Sequence, residues 1–138
     1  MAKILVVEDN ALNIKLFCDL LKAHGHDAQP VTDSREALAA ARAFAPDLII
    51  TDIQLPHVSG IELMQLVRAE PELADVPIMA VTAYAAQGDD ERIRAAGAQS
   101  YVSKPISVVR FVEAVEELLG AGRIVTTPVE PEAAPDAS

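Results

Sequence analysis

The chain lacks most of the features that would place it outside a simple intracellular fold. Its single cysteine, Cys18, excludes an internal disulfide framework and fits a reducing cytosol. Cys18 itself is expected to be a small buried helix residue. No apolar run is long enough to span a bilayer, although 51% of the 138 residues are hydrophobic. Met1-Ala2-Lys3 leads straight into a strand-like segment, with no basic region followed by a longer apolar stretch and cleavage site. No signal peptide is therefore expected, and the expected location is cytoplasmic. Positive charge is scarce: 11 Lys and Arg stand against 21 Asp and Glu, for a net charge of −10 and a pI near 4.6. Without a Lys/Arg cluster, direct binding to nucleic acid or to an anionic membrane is disfavoured. There is no internal repeat. His24, His26 and His57 lack ligand spacing and are expected to face solvent.

What is present alternates between two patterns. Val- and Ile-rich apolar runs read as buried parallel strands: Ile4 to Val7, Leu48 to Thr51 and Ile78 to Thr82, with weaker ones at Ala28 to Val31 and Ser100 to Val102. Between them apolar residues recur at helical spacing. One stripe is Leu12, Leu16, Phe17, Leu20 and Leu21; a second is Ala37, Leu38, Ala41 and Phe44. Ile61, Leu63, Met64 and Val67 form a third, and Phe111, Val112, Val115, Leu118 and Leu119 the last. The order βαβαβαβαβα predicts a parallel sheet with helices on both faces.

Punctuation agrees with this order. Asp33-Ser34-Arg35-Glu36 has the pattern of a capping box, and Asn10 can cap the first helix. Gly25 and Gly97 stand where helices should stop, and Pro46 and Pro77 precede strands. Asp89, Asp90 and Glu91 fall near a helix start, where the macrodipole favours negative charge. Gly60 is expected to do no more than shape a helix start. The length fits one domain, residues 1–120. Residues 121–138 differ in composition: three prolines (Pro128, Pro131, Pro135), several alanines and the acids Glu130, Glu132 and Asp136 predict a flexible tail.

The residues that carry chemistry fall at the ends of the predicted strands. The first strand ends in Glu8-Asp9, the third in Asp52, the fourth in Thr82, and the fifth leads to Lys104-Pro105. Ligands of open parallel sheets bind beyond the carboxyl ends of the strands. Three carboxylates gathered there repel one another unless a cation or a proton intervenes. The set suits phosphoryl transfer to a carboxylate. Asp52 is the candidate nucleophile. Glu8 and Asp9, with Asp52 and the Gln54 backbone carbonyl, offer hard oxygen ligands for Mg²⁺. Lys104 supplies a point charge for Asp52 and then for a phosphate oxygen, and the Thr82 hydroxyl a further donor.

In order and spacing, Val7-Glu8-Asp9-Asn10, Asp52-Ile53-Gln54-Leu55-Pro56 with Ser59-Gly60, Val81-Thr82-Ala83 and Tyr101-Val102-Ser103-Lys104-Pro105 resemble the receiver domain of two-component response regulators. The resemblance runs from about Lys3 to Gly120. Further matches, among them Asn13, Lys15-Leu16-Phe17, Asp19-Leu20-Leu21 and Ile106-Ser107-Val108-Val109, are similar to the DivK type of single-domain regulator. That subgroup works in cell-cycle and polar-development signalling.

The resemblance implies a flavodoxin-like, doubly wound α/β fold: a five-stranded parallel sheet of order 2-1-3-4-5 with five helices. It implies that Asp52 accepts phosphate from a sensor histidine kinase or a histidine phosphotransfer protein, that a kinase or phosphatase sets its level, and that a downstream protein reads the result. Glu8, in place of a second aspartate, is a common variant of the family. Thr82 and Tyr101 match its switch pair. After phosphorylation the hydroxyl moves toward the phosphate, and the ring turns inward into the space left. The Lys104-Pro105 bond is commonly cis in the family. Tyr84, Ala85, Arg92, Tyr101 and Ile106 are expected near the output surface, and Gln54 and Tyr84 are expected to tune the phosphate lifetime. Apart from its own phosphorylation and dephosphorylation, the chain is expected to catalyse nothing. Three other readings compete. A Mg²⁺-dependent aspartyl-phosphate hydrolase of related fold generally needs a second acid where Gln54 stands. A nucleotide or flavin module would want a glycine-rich loop where Glu8-Asp9-Asn10 stands. A DNA-binding regulator would want a second domain.

Overall fold

Alternation of apolar residues along the strands gives the sheet two greasy faces, and every helix covers one of them. The computed structural model describes residues 2–55, 57–83, 89–104 and 106–121. The elements are β1 (Lys3–Val7), α1 (Ala11–Ala23), β2 (Asp27–Val31), α2 (Ala37–Phe44), β3 (Leu48–Asp52), α3 (Gly60–Ala69), β4 (Ile78–Thr82), α4 (Asp89–Ala96), β5 (Ser100–Ser103) and α5 (Val108–Ala121). A 3-10 turn, Ser34–Glu36, precedes α2. All strand pairs are parallel, in the order β2-β1-β3-β4-β5. The fold class, the order and the five helices are those expected from the sequence. The tail lies outside the described residues, apart from Ala121, which closes α5.

Leu5, Val7, Ile49, Ile78 and Ala80 face α2, α3 and α4, packing on Ala41, Leu63, Met64, Val67 and Ile93. Their sequence neighbours Ile4, Val6, Leu48, Ile50, Met79 and Val81 face α1 and α5. There the rings of Phe17 and Phe111 stack with centroids 5.0 Å apart. That geometry adds about 0.5–1.5 kcal/mol to the burial of the two rings. Central strands β3 and β4 are buried at every residue, which is why they read as continuous apolar runs. β2 lies at a sheet edge and tolerates Pro30, whose missing N–H weakens only an edge strand. Cys18 is buried in α1, as expected.

Local details depart from the sequence reading in two places. Asp33 does not form the reciprocal box with Glu36. Its carboxylate accepts from the Arg35 backbone N–H at 2.9 Å and binds the Arg35 guanidinium, while the Glu36 N–H goes to the Asp33 carbonyl. The arginine competes for the cap, and the turn tightens to 3-10. A capping box does form at Ser59 and Glu62, ahead of α3. His26 also departs from expectation. Its side chain is only 10% exposed, and Nε2 lies 2.8 Å from Glu116 of α5. Its Nδ1 accepts from the Ala2 N–H at 3.4 Å, so the ring ties the chain start to α5. His24 and His57 are exposed.

One polar tie was invisible in the sequence. The Arg68 guanidinium, at the end of α3, donates to the carbonyls of Ala74, Val76 and Gly97 at 3.1, 2.7 and 2.6 Å, and to the Gln99 side-chain oxygen at 2.8 Å. Gln99 Oε1 accepts in turn from the Ile78 N–H. The α3–β4 and α4–β5 connections are thereby held together under the sheet's amino-terminal edge.

Candidate functional site at the carboxyl edge of the sheet

The crossovers bring the ends of β1, β3, β4 and β5 to one edge. Glu8 follows β1 directly, its N–H bonded to the Val31 carbonyl at 3.1 Å. Asp52 closes β3 opposite Val81, and the next N–H, of Ile53, continues the ladder to the Val81 carbonyl. Lys104 follows β5 with its N–H on the Thr82 carbonyl at 2.8 Å. These ladder bonds leave little freedom in where the side chains begin.

Glu8 and Asp52 are buried and Asp9 is exposed. One carboxylate oxygen from each lies within 4.8 Å of the others, a group able to hold a metal ion. Lys104 Nζ donates to Asp52 Oδ2 at 2.7 Å and stands 3.7 Å from Glu8 Oε1, near enough for Coulomb attraction but too far for a hydrogen bond. Asp52 Oδ1 accepts the Gln54 backbone N–H at 3.0 Å. Glu8 Oε2 accepts the Asn10 N–H at 3.1 Å. Asn10 also caps α1 as expected, its side chain accepting from the Leu12 and Asn13 N–H groups.

Electrostatics shows where the strain sits. Burial, and then the nearby Asp52 charge, raise the Glu8 carboxyl above its ordinary pKa of 4.5, against the opposing pull of the Asn10 N–H, Lys104 and Asn13. Burial works against the Lys104 ammonium, but the bond to Asp52 and the charges of Asp52 and Glu8 outweigh it, so its pKa is raised. Glu8 Oε1 is buried with no hydrogen-bond partner among the described residues. A buried carboxylate oxygen without a hydrogen bond, beside two more carboxylates, fits a hard divalent cation.

Thr82 is buried at the end of β4, opposite Ser103. Tyr101 lies opposite Ala80 on the neighbouring strand, half-buried against the core on the α4 side. With the two-residue period of a strand, Thr82 and Tyr101 share that face of the sheet. Gln54 is exposed at the rim. The structure therefore brings Glu8, Asp9, Asp52, Gln54 and Lys104 together, with Thr82 beside them and Tyr101 further along β5. Pro105, Tyr84 and Ala85 lie outside the described residues.

Gly60 carries a constraint that the sequence reading underrated. Its N–H donates to the Ile53 carbonyl at 2.9 Å, holding α3 against the end of β3. A Cβ there would land on the Asp52 carbonyl oxygen and lie 2.7 Å from Ile53 Cα. Only the pairing of a glycine with a capping serine, Ser59-Gly60, could have signalled so close an approach.

An open parallel sheet of this order with a buried acidic cluster at its carboxyl edge defines a class, and comparison with known proteins agrees. Residues 4–116 match the response regulator receiver domain, and the chain belongs to that family. Among relatives, it is 50% identical over 117 residues to the polar-differentiation response regulator DivK of Brucella anthropi, covering 85% of this chain and 95% of that one. Among solved structures, it resembles chemotaxis protein CheY4 of Vibrio cholerae with a TM-score of 0.81 at 27% identity, over 86% of this chain and 98% of that one. A receiver domain of a sensor histidine kinase from Pseudomonas aeruginosa PAO1, described with a magnesium ion coordinated in its active-site cleft, superposes with a TM-score of 0.79 at 32% identity, over 86% and 98% of the two chains. The chain is thus a DivK-like response regulator built on a receiver domain.

Proposed function

We propose that Asp52 is the phosphoryl acceptor of this regulator, and that the cation at the acidic cluster is Mg²⁺. The observation that carries the reading is the 2.7 Å contact of Lys104 with an Asp52 carboxylate that is itself packed among acids at the sheet edge. Glu8, Asp9, Asp52 and the Gln54 carbonyl would hold the ion. When bound, it supplies charge neutralisation for the cluster and for the phosphoryl oxygens. Support comes from the Glu8 oxygen that lacks a hydrogen bond among the described residues and from the magnesium of the related receiver.

The chain's own groups do the rest. Gln54 N–H and Lys104 Nζ fix the two Asp52 oxygens. One oxygen attacks the phosphorus of a phosphohistidine on a kinase or phosphotransfer protein. The new P–O bond forms as the P–N bond breaks, and its electron pair returns to the imidazole nitrogen. Lys104 then pairs with a phosphate oxygen, and the Thr82 hydroxyl donates to another. The chain catalyses only its own phosphorylation and dephosphorylation and signals by binding a downstream protein, as expected of a regulator of cell-cycle or polar development. A protein donor needs a surface around the carboxylate. Exposed Leu12 on α1 and Val108 and Val109 at the start of α5, helices that begin at this same edge, provide one.

Incubation with acetyl phosphate and Mg²⁺ tests the reading. Intact mass is expected to rise by one phosphate, chelation to prevent it, and Asp52→Asn to stay unlabelled. Unchanged mass in the wild type, or full labelling of the variant, would overturn it.

A further inference from the structure

A groove of about 550 Å³ runs along the outer edge of β5. Arg94 of α4 lines one side, Ser107 and Arg110 of the α5 start the other, and β5 forms its floor. Among the described residues β5 pairs only with β4, so its outer edge has no strand neighbour. Arg94 donates to the Gln99 carbonyl at 3.0 Å and lies over the Tyr101 ring, 5.8 Å from its centroid, but meets no carboxylate among the described residues. Arg110 makes no ion pair there either. On a chain of net charge −10, a groove lined, among the described residues, by two arginines and no acid selects an acidic occupant.

We propose that this occupant is the chain's own C-terminal segment, residues 122–138, with Glu130, Glu132 and Asp136 ranged against Arg94 and Arg110. Reach supports it. α5 runs antiparallel to the strands, and its rise from Arg110 to Ala121 is about 17 Å. A coil from Ala121 to Glu130 has a root-mean-square span of about 17 Å, against about 30 Å fully extended. A tether whose span matches the distance gives an effective concentration in the mM range, so weak ion pairs suffice. An outside acidic peptide would need its own affinity to compete.

Handedness decides how the segment sits. The β-branched run Ile124-Val125-Thr126-Thr127 invites a sixth parallel strand. Yet α3 and α4, which carry the chain outward from β3 to β5, cover one face of the sheet, whereas α5 covers the other. A further outward step across α5 would be a left-handed crossover, a form found in roughly 2% of cases. The acidic residues beyond that run therefore make the contact, without sheet pairing. So seated, the segment covers β5 and Tyr101 and competes with any partner that reads this face. The inference does not depend on which residue is phosphorylated.

A nitroxide on Ala134→Cys in the full chain tests it, because Cys18 is buried and stays unlabelled. Amide signals of Ser100 to Ser103, Ser107 and Arg110 are expected to broaden. The broadening should disappear at high salt and in the full chain carrying Glu130→Gln, Glu132→Gln and Asp136→Asn. Broadening absent from these residues, spread evenly over the surface, or unchanged by charge neutralisation would overturn the proposal. So would equal broadening of unlabelled molecules mixed with spin-labelled ones, which would make the occupant a second copy's tail. Phosphorylation by acetyl phosphate is unaffected by either result, so this test and that of Asp52 fail separately.

Discussion

Glu8 bears an electrostatic cost that its neighbours only partly relieve. It is buried, its Oε1 lacks a hydrogen-bond partner among the described residues, and burial with the Asp52 charge raises its pKa above 4.5. The folded protein thus holds the Glu8 proton more tightly than the unfolded chain does. Ionised Glu8 subtracts from stability at neutral pH, and that loss vanishes as pH falls below its unfolded value. Two outcomes follow for thermal unfolding. Without metal, Glu8→Gln is expected to melt no lower than the wild type. At ten times its dissociation constant, Mg²⁺ should stabilise the wild type by about 1.4 kcal/mol and the variant far less at the same concentration. Equal Mg²⁺ shifts in the two proteins would remove Glu8 from the cation site. Glu8, Asp9, Asp52, Thr82 and Lys104 were legible in the sequence because each follows or closes a strand whose apolar pattern is strong. The His26 contact with Glu116 was not, because its partner lies 90 residues away and only packing brings them together.

At the scale of elements, the junction between β3 and α3 governs the Asp52 backbone. The Ser59–Glu62 capping box starts α3, and Gly60 presses it against the Asp52 and Ile53 backbone. Gly60→Ala puts a methyl group where backbone already stands, so neither α3 nor the end of β3 can stay in place. Urea unfolding should show a loss of about 1–3 kcal/mol, typical of overpacking, and labelling of Asp52 should slow. A variant as stable as the wild type would mean that the junction yields freely. Strand bounds expected from the sequence agree with the structure to within a residue, since unbroken apolar runs mark them, whereas the stripes place α1, α2, α3 and α5 without fixing their ends, α5 starting three residues before Phe111. The helix caps were read less well. Asp33 carries the cap signature, but Arg35 two residues on takes its carboxylate. The sequence pattern at Ser59 is equally good, and there no neighbouring cation competes.

Over the whole molecule, the sheet separates two jobs. Its carboxyl edge collects the acids, Lys104 and Thr82, while Arg68 ties the connections at the opposite edge through four backbone or amide oxygens within 3.1 Å. In the switch that the family resemblance implies, Thr82 would follow the phosphate, and Tyr101, on the same face, would follow Thr82. Thr82→Ala should still take phosphate, yet the chemical-shift changes at β5 on phosphorylation should shrink. Full-sized changes in the variant would detach Tyr101 from the hydroxyl. Strand order was legible only through the family resemblance, since periodicity gives elements and not their neighbours. The Arg68 tie had no sequence signal, because its acceptors are mostly main-chain carbonyls.

The most direct measurement is the position of the phosphate. After labelling with acetyl phosphate and Mg²⁺, borohydride reduction and peptide mapping should place the modified residue at Asp52, with Glu8 and Asp9 untouched. Modification at any other residue, or a stable phosphate on a serine, threonine or histidine, would contradict the account.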